Sequence, residues 1–261
     1  MSELLYQRVQ SHLGRLKLER MAGCLDALSE DAAKHEWTYL DFLDHLLEAE
    51  VSARYERDVA MKTKLAHFPV VKTLDQFDFA FQPSISERQV KELATLRFIA
   101  NGENVLLLGP PGVGKTHLAI ALGMAAIREA VSVYFTSVVD LLDTLQRDAK
   151  EDRLGHRLDT LCRPKLLILD EMGYFPLDRT AAQFLFQLVS RRYQRGSIIL
   201  TSNKSYGDWA DIFADQVLAA AILDRLLHHS TTINIRGQSY RLREKRKAGL
   251  FSQFAQPAKE D

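Results

Sequence analysis

The stretch LLLGPPGVGKTHLA, Leu106 to Ala119, decides the fold. Its centre, Gly109 to Thr116, fits G-x-x-x-x-G-K-[ST], the loop that holds a nucleotide's phosphates between a strand and a helix. The glycines at Gly109, Gly112 and Gly114 let the backbone wrap closely, with Pro110, Pro111 and Val113 between them, so that N–H groups point inward. Lys115 is placed to reach the β- and γ-phosphates, and Thr116 to ligate Mg²⁺. His117 completes the expected nucleotide-binding run at the start of a helix whose positive end faces the phosphates.

Moving outward from the loop, short apolar runs alternate with helical stretches. The runs are NVLLLG, VSVYFT, KLLILD, SIILTS and TTINIR, each of strand length. This alternation predicts an α/β domain whose parallel sheet has helices on both faces. KLLILDE ends its apolar run on Asp170 and Glu171, which a parallel strand delivers to the edge where the phosphate loop lies. Asp170 is expected in the Mg²⁺ shell and Glu171 as general base for an attacking water. An acid pair after the third strand, following a phosphate loop after the first, favours hydrolysis over binding alone. Asn203, which closes SIILTSN, is placed to position the same water or to sense the γ-phosphate.

The segment before this core, residues 1–66, reads as a small helical domain suited to holding a partner or DNA. Thr38 and Asp41 form a capping box, and Leu40, Leu43, Leu47 and Val51 recur as one apolar stripe. Glu48, Glu50, Arg54, Glu56 and Arg57 crowd the other face, which predicts solvation there. A linker over 67–85 follows, in which Phe77, Phe79 and Phe81 alternate as on one face of a strand. Ser86 and Gln89 then cap a helix over SERQVKELATLRFIANG that Gly102 can end. The core domain is expected over 86–250 and a frayed tail over 251–261.

Bulk composition sets limits. Basic and acidic residues balance at 34 each, so any nucleic-acid surface must be local. The two cysteines, Cys24 and Cys162, lack metal-site spacing. No apolar run approaches the roughly 20 residues of a membrane span, and the N-terminus lacks a signal peptide's apolar core. These features predict a soluble, cytoplasmic protein with no membrane contact.

GPPGVGKT, LLILDE, LTSN and AAAILDRLLHH, in that order, resemble the AAA+ ATPases. The resemblance implies a five-stranded P-loop core and an ATPase that uses ATP and Mg²⁺. It makes Asn203 the first sensor, Arg241 in GQSYRLREKRK the second, and Arg225 in LDRLL an arginine acting on a neighbouring subunit's nucleotide, hence a homo-oligomer. Most members continue into a helical lid of several dozen residues. Here twenty residues follow Arg241, so only a very short C-terminal lid is expected. A narrower resemblance covers roughly residues 12–250: RLKLERMAGCLDAL, FLDHLLEAEVSARYERD, FPVVKTLDQFDFAFQPSI and LLILDEMGY are similar to the IstB-like helpers of two-gene insertion sequences, close relatives of the DnaC helicase loaders. It implies assembly on duplex DNA with little sequence preference, recruitment or activation of a cognate transposase, and ATP hydrolysis to reset the assembly. It also implies that the linker runs beside the adenine.

In that clade an extra helical element follows the second strand. Here it carries Arg147, Lys150 and Arg153 at three-residue spacing, which would share one helix edge as a DNA-backbone contact. The basic run with Arg243, Lys245, Arg246 and Lys247 is a second candidate. The alternatives are a helicase loader on single-stranded DNA and a nucleotide-gated scaffold without turnover. The basic segments hold only Tyr240 for base stacking, which leans towards duplex DNA.

Overall fold

The computed structural model describes residues 3–213 and 215–247. They form two compact units that divide after Met61. The expected frayed tail over 251–261 lies outside the described residues.

The first unit contains α1 (Glu3–Arg15), α2 (Glu19–Lys34) and most of α3 (Tyr39–Leu65). The predicted capping box opens α3: Thr38 Oγ1 accepts the Asp41 N–H at 3.2 Å, and the Asp41 carboxylate accepts the Thr38 N–H at 3.0 Å. Leu13, Met21, Leu25 and Leu46 form the buried centre. The register of α3 reverses the expectation from its apolar stripe. Leu40 and Val51 are 77% and 64% exposed, whereas Glu50 is 3% exposed. The cause is a missing cap. Leu18 precedes α2 and has no side-chain acceptor to offer its first N–H groups. Glu50 Oε2 accepts the N–H of Arg20 at 2.9 Å and of Met21 at 3.2 Å instead, while Arg54 donates to Oε1 at 2.8 Å. The carboxylate also meets the positive end of the α2 dipole. The Arg54 hydrogen bond holds the Glu50 carboxyl below the usual range.

In the second unit, after the end of α3, turns replace the predicted strand through Phe77, Phe79 and Phe81. Asp78 breaks the extension: its carboxylate accepts the Phe81 N–H at 2.9 Å and its carbonyl accepts the same N–H at 3.2 Å, closing a turn. The single helix predicted after Ser86 is two, α4 (Glu87–Leu93) and α5 (Arg97–Ala100). Ser86 caps the first as expected, accepting the Gln89 N–H at 3.3 Å. Leu96 breaks the run at φ 63°, a turn that buries both Leu96 and Phe98.

All five predicted strands form: β1 (Asn104–Leu108), β2 (Val133–Ser137), β3 (Leu166–Met172), β4 (Ser197–Ser202) and β5 (Ser230–Asn234). They make one parallel sheet in the order β2-β3-β4-β1-β5. Between them run α6 (Lys115–Arg128), α7 (Val138–Lys150), α8 (Leu154–Cys162), α9 (Arg179–Arg192), α10 (Trp209–Ile212) and α11 (Gln216–Leu227); α12 (Tyr240–Lys247) follows β5. Side-chain alternation explains the two covered faces. Leu167, Leu169, Ile198 and Leu200 join one core with residues of α7, α8, α9 and α11. Ile168, one step out of phase, meets Gly123 of α6.

Several helices stop without glycine. Ala130 follows α6 at φ 60°, and Val131 donates to Ala126 O at 2.9 Å, closing the left-handed C-terminal turn. A Cβ in that conformation is strained, and Ala130 is exposed, so little packing offsets the strain. Ala130→Gly is expected to stabilise the second unit by about 0.5–1 kcal/mol, read as a higher urea midpoint; a lowered midpoint contradicts the assignment.

Candidate nucleotide-binding site

The phosphate loop leaves β1 and enters α6 at Lys115, as the strand–loop–helix context predicted. All three of its glycines are required by neighbours as well as by backbone. Gly114 has φ 102°, and a Cβ there would lie 2.6 Å from Phe77 Cε2. Gly112 has φ 81°, and a Cβ would lie 2.1 Å from Ser239 Oγ. The linker and the segment after β5 thus press on the loop from two sides. Between them lies a cavity of about 380 Å³. Gly112, Val113, Gly114, Lys115, Thr116 and His117 line it, together with Lys72, Gln76 and Phe77 of the linker, Glu171, Tyr174 and Thr201 from the sheet edge, and Arg241. Gly109, Pro110 and Pro111 belong to the loop but not to this lining.

Lys115 Nζ donates to the carbonyls of Gly109 at 2.6 Å and Pro110 at 2.8 Å. Burial pushes its pKa down to about 8; Asp170 opposes the shift and Arg241 adds to it. His117 Nε2 lies 2.9 Å from Thr73 O, and its ring meets Phe77 edge-on at 5.2 Å, so it ties α6 to the linker. Burial lowers its pKa.

The acidic pair sits at an irregularity in the sheet. Leu169 pairs with Leu200, but Met172 pairs with Ser202, so Asp170 and Glu171 together oppose the single residue Thr201. This β-bulge places Glu171 at φ 65° and turns its exposed side chain into the cavity lining. Asp170 is 5% exposed and accepts Thr116 Oγ1 at 2.9 Å and Thr201 Oγ1 at 2.5 Å. Thr201 Oγ1 in turn accepts the Glu171 N–H at 3.0 Å. Asn203 lies past the end of β4, off the cavity lining, and its Oδ1 is buried without a hydrogen-bond partner. Thr201 was not singled out in the sequence. Its signal was available in the alternation of LTSN, which points Thr201 and Asn203 to one face.

The basic candidates separate. Arg241 lines the cavity. Arg225 is on the last turn of α11, where it donates to Ala221 O at 3.0 Å and lies over the Phe186 ring at 4.7 Å; it does not line the cavity of its own chain. Arg147 and Lys150 are exposed on the last turn of α7. The helix ends there, so Arg153 does not share its edge and pairs with Asp148 and Glu151. Arg243 donates to Asp78 at 3.1 Å and lies 4.6 Å from the Phe81 ring centroid, fastening α12 to the linker. The side chains of Lys245, Arg246 and Lys247 lie outside the described residues.

Residues 11–248 match the family model described as IstB-like ATP binding protein. The chain belongs to this family. It is 51% identical over 249 residues to a Pseudomonas aeruginosa protein named for insertion sequence IS21 and for ATP binding, covering 95% of this chain and 94% of that one. A Geobacillus stearothermophilus protein named for IS5376 is 49% identical, covering 92% and 96%. Among solved structures, DnaI superposes with a TM-score of 0.51 at 24% identity, over 64% of this chain and 89% of that one. AMPPCP-bound DnaA from Aquifex aeolicus gives 0.51 at 20%, over 70% and 57%. These likenesses show the fold alone, a five-stranded parallel α/β core. No helix among the described residues is long and apolar enough to cross a membrane.

The donor set at Thr116 and Asp170 fits a hard divalent cation. Two oxygen ligands from the chain leave room for phosphate oxygens and water, as Mg²⁺ prefers. Among the described residues no group of three or more His, Cys, Asp or Glu side chains competes for a metal.

The Lys115 shift carries a sign. Protonated Lys115 attracts phosphate, and in the free protein it loses that proton as pH rises through about 8. Nucleotide affinity, followed with a fluorescent ATP analogue, is therefore expected to fall roughly tenfold between about pH 7 and about pH 9. A flat profile removes Lys115 as the titrating group.

Proposed function

We propose that this IstB-family chain is an ATP-dependent transposition helper: it assembles on duplex DNA with little sequence preference, recruits or activates a transposase, and hydrolyses ATP to reset. The observation that carries the ATPase reading is the convergence on one cavity of the phosphate loop, Thr116 with buried Asp170 behind it, and Glu171. The names of the insertion-sequence relatives, matched over nearly their whole length, support the transposition context.

In this mechanism the loop N–H groups and Lys115 bind the β- and γ-phosphates. Thr116 and Asp170 would hold Mg²⁺, which would supply positive charge against the phosphate oxygens. Glu171 accepts the proton of a water whose oxygen attacks the γ-phosphorus, while the bond to the β-phosphate oxygen breaks. Asn203, off the cavity lining with its Oδ1 buried, would reach the γ-phosphate only if the segment after β4 moves when nucleotide binds. Arg241 contacts the phosphates from the segment after β5. Arg225 completes the site of a neighbouring copy, a role that agrees with its position off its own cavity. Exposed Arg147 and Lys150 supply DNA-backbone contacts that repeat along an oligomer.

Glu171→Gln is expected to abolish turnover, keep ATP binding, and trap large complexes that sediment with random-sequence duplex DNA only when ATP is present. Selective assembly on single strands moves the function to helicase loading, and assembly with no wild-type turnover makes the protein a nucleotide-gated scaffold. Replacing Arg147 and Lys150 with Ala is expected to reduce the slope of log affinity against log salt by about 1 for each phosphate left unneutralised. An unchanged slope takes α7 off the DNA path.

A further inference from the structure

Thr201 has more to do than close a strand. It is 1% exposed, and its hydroxyl sits between the two acidic residues of the bulge. One hydroxyl offers one proton and two lone pairs. The proton goes to Asp170 Oδ1 at 2.5 Å, and a lone pair takes the Glu171 N–H at 3.0 Å. The second bond has a particular consequence. The bulge interrupts the β3–β4 pairing opposite Thr201, and a side-chain oxygen receives the Glu171 N–H there. Glu171 is also held at φ 65°, a conformation that costs a non-glycine residue free energy and persists only when its surroundings enforce it. The Thr201 hydroxyl is the restraint that the described hydrogen bonds place on this peptide.

We propose that Thr201 is the positioning residue of the hydrolytic site, setting the Glu171 backbone so that its carboxylate faces the attacking water, and setting Asp170 through the same hydroxyl. This rests on the ATPase reading above. Thr201 acts through Glu171 and Asp170 and moves no proton in the reaction. The water's proton still goes to Glu171. Its methyl group contributes packing alone, so the hydroxyl can be tested separately from the fold.

Thr201→Val keeps size and branching and removes the hydroxyl, and Thr201→Ser keeps the hydroxyl and removes the methyl. Steady-state ATP hydrolysis and binding of a fluorescent ATP analogue would be measured on the full chain with both variants. The expected result for Thr201→Val is a kcat on the order of tenfold to a hundredfold below wild type, with KM and analogue affinity within about twofold. Thr201→Ser should recover most of kcat. A Thr201→Val enzyme with wild-type kcat overturns the proposal, as does equal loss of kcat and nucleotide affinity. Should Thr201→Val fail to fold, the serine variant decides: a kcat reduced as far as that of Glu171→Gln overturns the proposal. Absence of wild-type turnover overturns the hydrolysis reading and this proposal together, whereas wild-type turnover with an unaffected valine variant overturns this one alone.

Discussion

Burial of the strands on both faces is the constraint on which the site depends. Every residue of β1 and β4 is buried, as is every residue of β3 but Glu171. Such strands cannot lend a side chain to chemistry along their length, because both faces are occupied by packing. Polar groups gather where the strands end. There the loop after β1, the bulge at Asp170 and Glu171, and Thr201 in β4 come within hydrogen-bonding reach of one another. Even the buried polar side chains inside the sheet serve alignment: Asn104 accepts the Ile198 N–H at 2.9 Å and donates to Leu226 O at 3.1 Å.

The central strands β1, β3 and β4 were legible because burial on both faces leaves a mostly apolar run, and the loop was legible because its glycines have no substitute. Phe77, Phe79 and Phe81 misled for a physical reason. Alternation records which residues are apolar, and Asp78 between them supplied a turn that alternation does not encode. Helix ends were equally hard to place. Lys17, Glu36, Ala130 and Asp152 take the left-handed conformation that usually selects glycine, so the stop carries no glycine signal. The bulge at Glu171 is invisible in sequence altogether, since it depends on how β3 is registered against β4.

The first unit teaches a related lesson. Periodicity correctly identified α3 as a helix, yet its leucines at 40, 43 and 47 stay exposed. A buried glutamate decided the helix's rotation, because two N–H groups of α2 otherwise lacked an acceptor. Satisfying backbone donors outweighed covering a few aliphatic side chains.

The fastening of the linker to the segment after β5 bears on how the protein is made. Gln82 donates to Gln238 O across 156 residues, and Arg243 reaches Asp78 across 165. Contacts of such sequence separation carry a large loop-closure cost and need the whole intervening chain to have been synthesised. A ribosome adding residues from the N-terminus delivers the phosphate loop long before the second wall of its cavity. The nascent loop therefore emerges incomplete, and the cavity closes only when almost the whole second unit has left the ribosome.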